Sequence, residues 1–169
     1  MKKFWALSSV FLVFLSAAGA APTTWGAKAA ALDPDRSIGE MLNYAIEDEY
    51  LARAEYDSII RKFGNMRPFS NIIKAEENHI AWLRAAFADA KLALPKDESA
   101  SLVKAPDTIK EAFQAGVQAE IDNIAMYDSF LASPLMAKSE NAPLKALFIR
   151  LRDASKNHLA AFKNGLAKY

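Results

Sequence analysis

From residue 37 almost to the C-terminus, apolar positions recur every three or four residues, the spacing of one buried face on an α-helix. The first stripe runs Ile38, Leu42, Ala45, Glu49, Ala52, Tyr56, Ile60, Phe63, and Gly64-Asn65 ends it. Ser37 and Glu40 form a capping box at its start, each side chain satisfying a free backbone N–H of the first turn. Pro68 suits the first turn of a second helix, whose stripe is Phe69, Ile72, Glu76, His79, Ile80, Leu83, Phe87, with Leu94-Pro95 as its stop. A polar connection, Lys96 to Ala105, follows, and its charged run Lys96-Asp97-Glu98 reads as a solvated loop. Pro106-Asp107 opens a third helix with Ile109, Phe113, Gly116, Glu120, Ile124, Tyr127 and Leu131 on one face, broken by Ser133-Pro134. Asn141-Ala142-Pro143 opens a fourth, carrying Leu144, Phe148, Leu151, Ser155, His158 and Phe162 before Gly165. No stretch alternates with the period of a strand. Four amphipathic helices predict an all-α, antiparallel four-helix bundle over residues 37–166.

The chain also repeats itself. Glu49-x6-Tyr56 recurs as Glu120-x6-Tyr127, and Asn78-His79-Ile80-Ala81 recurs as Asn157-His158-Leu159-Ala160. One helical hairpin written twice is the economical description.

The segment before the bundle divides in two. Met1-Lys2-Lys3 is a basic start, Phe4 to Leu15 is an apolar run, and Ser16 to Ala20 supplies small residues. These are the parts of a signal peptide, residues 1–20, with cleavage expected after Ala20. The run is short for a membrane span, so the mature protein is expected free of a membrane anchor and periplasmic or secreted. Residues 21–36 show no sustained period and read as a flexible tether.

Composition narrows the partners. Two of the 21 basic residues, Lys2 and Lys3, belong to the leader, leaving 19 basic against 20 acidic side chains with the signs interspersed. Such a surface has no field to hold a polyanion, which sets aside nucleic acid. With no cysteine, disulfides, thiolate metal sites and thiol nucleophiles are excluded. No Ser–His–acid arrangement is visible either.

The chemistry lies in charged residues on the buried stripes. At about 100° per residue, Glu49, Glu76 and Glu120 fall at stripe centres, and His79 and His158 share those faces. Glu47, Glu111, Asp122 and Asp153 point away, toward water. Three interior carboxylates cost several kcal/mol each unless compensated, and two imidazoles cannot balance all three. Arg53, one turn after Glu49, is positioned to pair with it. A divalent metal, or two, is the cheapest compensation, since Glu-x-x-His sets carboxylate and imidazole on adjacent turns of one face. A metal-free polar core remains the other reading, with Glu49–Arg53 paired and Tyr56 and Tyr127 donating to carboxylates. Oxygen and nitrogen donors without thiolate suit iron or manganese, with zinc also compatible.

Glu49-Tyr-Leu-Ala-Arg53-x-x-Tyr56 followed by Glu76-x-x-His79 resembles the first half of a ferritin-like di-iron bundle of the rubrerythrin type. Glu120-x6-Tyr127 followed by His158 resembles the second half, and within that superfamily the pattern looks like domain-of-unknown-function family 2202. The resemblance implies a ferritin-like bundle of two helical hairpins. It makes Glu49 and Glu120 terminal ligands, Glu76 a bridge between two metals, and His79 and His158 a ligand to one metal each. Beside these ligands, Tyr56 and Tyr127 read equally as packing residues or as donors that orient a ligand, and Arg53 as a partner of Glu49. One departure stands out: the second Glu-x-x-His is Ser155-Lys156-Asn157-His158, so one bridging carboxylate is missing. A lopsided pair, a single metal or a vestigial site are the resulting alternatives. Three roles follow: oxygen or peroxide redox chemistry, metal holding without turnover, or a structural and partner-binding bundle. Without cysteine no rubredoxin-type electron donor is appended, so a redox-active site leaves its electron donor unnamed, and a homodimer is among the assemblies left open.

Overall fold

The computed structural model describes residues 24–169. The expected signal peptide, residues 1–20 with its cleavage point after Ala20, lies outside the described residues. Five α-helices follow in order: α1 (Gly26–Leu32), α2 (Ile38–Phe63), α3 (Phe69–Asp89), α4 (Ile109–Leu131) and α5 (Ala142–Leu166). Three short 3-10 turns, Ser99–Ser101, Pro134–Ala137 and Ser139–Asn141, occupy the connections. The described residues form a helical bundle without a strand. No helix among them is long and apolar enough to cross a membrane.

The helix ends follow local chemistry. Ser37 N–H donates to Glu40 Oε2 at 2.7 Å while Glu40 N–H donates to Ser37 Oγ at 3.3 Å, the expected capping box. Helix α4 carries a second box, between Thr108 and Glu111, at 2.9 and 3.2 Å. It therefore begins at Ile109, later than the Pro106-Asp107 start that the sequence suggests. Helix α3 ends at Asp89, five residues short of Leu94. There Lys91 adopts a left-handed backbone (φ 54°), and the N–H groups of Lys91 and Leu92 turn back to the carbonyls of Ala88 and Phe87 at 3.0 Å each. This is a Schellman close made without glycine, and so without the residue that announces one.

Within the expected tether, residues 21–36, the described part from residue 24 on contains a helix. Gly26–Leu32 is a helix whose Ala27 and Ala30 are buried against the bundle. Its first two N–H groups donate to side chains of α2, Gly26 to Glu47 Oε2 at 3.2 Å and Ala27 to Asp48 Oδ1 at 2.8 Å. Seven residues are too few to show a period, and their order comes from α2. Glu47, expected to face water, is correspondingly half-buried.

Contacts between α2 and α3 run in opposed order along the chain: Tyr56 meets Phe69, Glu49 meets His79, and Gly39 lies under Leu92. Those between α4 and α5 do the same, with Phe113 on Gly165, Gly116 on Phe162 and Tyr127 beside Phe148. A Cβ at Gly116 would stand 2.8 Å from the Phe162 ring, and one at Gly165 2.1 Å from that of Phe113. Glycine at both places is what lets the two helices approach so closely. The apolar interior falls into two clusters. One gathers Met41, Leu42, Ile46, Leu83, Phe130 and Phe148 with their neighbours, and the other Tyr56, Ile59, Phe69, Ile72, Phe113 and Phe162. Between them lies a buried polar layer: Glu49, Glu76, His79, Glu120, Asn123, Ser155 and His158.

Candidate metal centre

The five predicted site residues reach that layer from four helices: Glu49 from α2, Glu76 and His79 from α3, Glu120 from α4, His158 from α5. Helical spacing explains the pairing on α3, where Glu76 and His79 are one turn apart and their polar atoms 2.8 Å apart. The Glu76 carboxylate divides between the two imidazoles. Its Oε2 faces His79 Nδ1, and its Oε1 lies 3.2 Å from His158 Nδ1. Glu49 Oε2 is 3.1 Å from His79 Nδ1, and Glu120 Oε1 is 3.4 Å from His158 Nδ1. Two donor groups result, Glu49–Glu76–His79 and Glu76–Glu120–His158, whose ligand atoms lie within 4.8 Å of one another in each group. Glu76 belongs to both. The imidazole rings stack at 5.7 Å, centroid to centroid.

The tyrosines tie the halves together reciprocally. Tyr56 on α2 donates to Glu120 Oε1 on α4 at 2.8 Å, and Tyr127 on α4 donates to Glu49 Oε1 on α2 at 2.7 Å. The repeated Glu-x6-Tyr is thus used by exchange, each half's tyrosine serving the other half's glutamate. Arg53 does not pair with Glu49. It pairs with Asp97 and lies over the Tyr50 ring at 5.6 Å. Helical angle put Arg53 near the stripe, but the connection folds Asp97 over α2, and a charge one-third exposed there avoids the cost of burial. Asp97 is accordingly no solvated-loop residue; its Oδ1 also accepts from Ser99 Oγ at 2.6 Å.

Ser155 holds the place on α5 that Glu76 holds on α3, three residues before the histidine. Its hydroxyl faces Asn123 Oδ1 at 2.6 Å and the Leu151 carbonyl at 3.1 Å. Asn123 Nδ2 in turn donates to Asp48 Oδ2 at 2.8 Å. Sequence reasoning passed over Asn123 and Asp48. The signal for Asn123 was its position three after Glu120 and four before Tyr127; Asp48 gave none, because its partners come from α1 and α4.

Electrostatics follow from burial and proximity. Burial pushes Glu49 up, and the Glu76 charge pushes it further, to about 8, against the pull of His79. Glu120 is raised by burial as well. Burial alone would raise Glu76 too, but His158 and His79 hold it down at about 2. Desolvation would lower both histidines, yet the carboxylates raise His79 to about 10 and His158 to about 9. Without metal, therefore, the carboxylates bias both imidazoles toward their protonated form, while burial and the neighbouring Glu76 bias Glu49 toward its neutral form.

The donors suit a divalent cation. Carboxylate oxygens and imidazole nitrogens converge without thiolate, and His158 Nδ1 is buried with no aligned hydrogen-bond partner although two carboxylate oxygens are close. A cavity of about 370 Å³ opens between α2 and α4 and reaches Glu49, Glu76, Glu120 and Ser155. The buried Glu/His cluster can hold a metal ion, and it has a path to solvent.

The fold has a counterpart. A hypothetical protein of Methanococcus jannaschii, known from its crystal structure, superposes with a TM-score of 0.67 at 22% identity, over 81% of this chain and 86% of that one. That likeness concerns the fold alone. No protein-family model matches this chain, and no curated protein does.

Proposed function

We propose that this chain is an exported metal-binding protein of ferritin-like type, similar to domain-of-unknown-function family 2202, in which two helical hairpins form an antiparallel four-helix bundle around a non-haem iron or manganese site. The observation that carries the reading is the sharing of Glu76 by two buried donor groups, each completed by one histidine and one further glutamate. Glu49, Glu76 and His79 would hold one metal and Glu76, Glu120 and His158 a second, with Glu76 common to both groups. Tyr56 and Tyr127 orient the terminal carboxylates, Tyr127 by donating to the Glu49 oxygen that does not face His79 and Tyr56 by donating to Glu120 Oε1. When bound, a reduced metal pair supplies electrons to oxygen or peroxide; the chain's own part is to exclude bulk water, fix the ligands and accept their protons. A metal-free structural bundle is the second reading, favoured by the hydrogen bonds that both tyrosines already make.

Elemental analysis separates the two. Protein purified without chelator and loaded anaerobically with ferrous iron is expected to hold one to two metals per chain. Glu76→Gln is expected to lose more metal than Glu49→Gln or Glu120→Gln, because it touches both donor groups. Metal below about a tenth of an equivalent, or equal retention by all three variants, rejects the metal site.

A further inference from the structure

Glu49, Glu76 and Glu120 stand where two divalent ions would carry four positive charges, and three carboxylates neutralise only three. The serine at 155 leaves both the charge and the space of a fourth carboxylate unfilled. Its hydroxyl is engaged with Asn123 and Leu151, so it brings no anion to the cluster. The cavity between α2 and α4 ends at this place, lined at its floor by Ser155 and the three glutamates. Leu51, Ala52, Ala115, Ala119 and Leu102 supply aliphatic wall, shared with the polar side chains of Asp48, Gln118 and Asn123. Lys28 and Lys104, both exposed, line it nearer solvent, opposed by Glu55 and Asp122.

We propose that this cavity is the seat of a short-chain monocarboxylate whose head group completes the metal pair beside Ser155 and whose alkyl chain lies along the Ala52–Ala115–Ala119 wall. The inference rests on the metal-site reading above. One negative charge is what the cluster lacks, and one lysine pair can guide it in. A dianion such as phosphate would overshoot that single charge and meet the carboxylates of Glu55, Asp122 and Asp48 on the way. An apolar wall would be idle for hydroxide or a bare inorganic anion, but it removes methylene groups from water. The volume holds a chain of a few carbons.

The test uses the full chain loaded with manganous ion, titrated calorimetrically with acetate, butyrate or phosphate. Butyrate is expected to bind once per chain and roughly tenfold tighter than acetate, the gain from burying two methylenes. Phosphate is expected to bind more weakly than either, and the metal-free protein to bind none of them. Ser155→Glu should keep metal and lose butyrate, since its own carboxylate takes the seat. Ala119→Leu should keep metal and acetate and lose the preference for butyrate, and it decides the matter where Ser155→Glu fails to fold. Failure to load metal overturns this inference together with the metal site. Loaded protein that ignores carboxylates, or that prefers phosphate, overturns this inference alone. So does butyrate binding that is indifferent to metal, or a preference that survives in Ala119→Leu.

Discussion

Replacing Tyr127 by phenylalanine removes one oxygen atom from the middle of the molecule. That oxygen is the donor in a 2.7 Å bond to Glu49 and one of two reciprocal braces between α2 and α4. The ring is fully buried, 6.0 Å from Phe130 and 5.7 Å from Phe148, and phenylalanine keeps those contacts, so no cavity enters the sum. A hydrogen bond to a charged acceptor contributes about 1.5–3 kcal/mol, and one to a neutral acceptor about 1. Without metal Glu49 is biased toward its neutral form at pH 7 by burial and by Glu76, which places Tyr127→Phe toward the lower end, at about 1–2 kcal/mol. In a chain of this size that corresponds to a fall in Tm of roughly 3–6 °C. Thermal and denaturant melts of metal-free protein measure it directly. A double-mutant cycle with Glu49→Gln then isolates the brace, with an expected coupling of about 1 kcal/mol. A Tm within a degree of the parent, or zero coupling in the cycle, refutes the claim that this hydroxyl holds the two hairpins in register.

Three further outcomes follow from the same geometry. Stability of the metal-free protein should fall between pH 7 and 10: the raised histidines stabilise the fold below their unfolded pKa of about 6.5 and lose that effect as pH passes about 9 and 10, while Glu49, raised from 4.5 to about 8, costs stability progressively as pH climbs between those two values and adds no further slope above about 8. A flat Tm across that range contradicts it, and bound metal should flatten the slope. Gly165→Ala should destabilise by about 2–4 kcal/mol in urea melts, because its Cβ would sit 2.1 Å from the Phe113 ring; a loss under half a kcal/mol would show that α5 shifts freely. Arg53→Ala should cost under about 1 kcal/mol and leave metal stoichiometry unchanged, as its partner is Asp97 on a partly exposed surface; lost metal would return Arg53 to Glu49.

What could be read from the sequence was whatever a single helix decides. The bounds of α2, the capping box at Ser37 and the inward faces of Glu49, Glu76, Glu120, His79 and His158 follow from period and cap alone, and all five side chains are buried where that period puts them. What could not be read was decided between elements. Helix α1 exists because Glu47 and Asp48 receive its first N–H groups, a long-range fact with no local mark. The buried face of α4 includes Asn123, Met126 and Phe130, while Ile124 and Leu131 are only half-buried; Asn123 meets Asp48 of α2 and Phe130 lies under Arg36, partners that the period of α4 does not show. Arg53 shows the limit of angular reasoning most clearly. A helical wheel gives a direction, while the choice of partner depends on which loop folds over that direction.

The same distinction explains why the departure at Ser155 carries more weight in three dimensions than in one. Along the chain it is a missing ligand, a sign of decay. In the fold the serine is bound into a string that runs Ser155–Asn123–Asp48–Ala27, from the polar layer out to α1. Asp48 there is raised to about 6 by burial and keeps its two donors, so the string is a formed structure and no leftover gap. A site that had merely lost its carboxylate would be expected to close with an apolar filler, which avoids burying a hydroxyl that needs partners. Here the small polar residue is satisfied, the space beside it stays open to solvent, and Ala52, Ala115 and Ala119 give that space an apolar side. Those three features together are what a place kept for an outside ligand requires, and an apolar plug at residue 155 would have removed all of them.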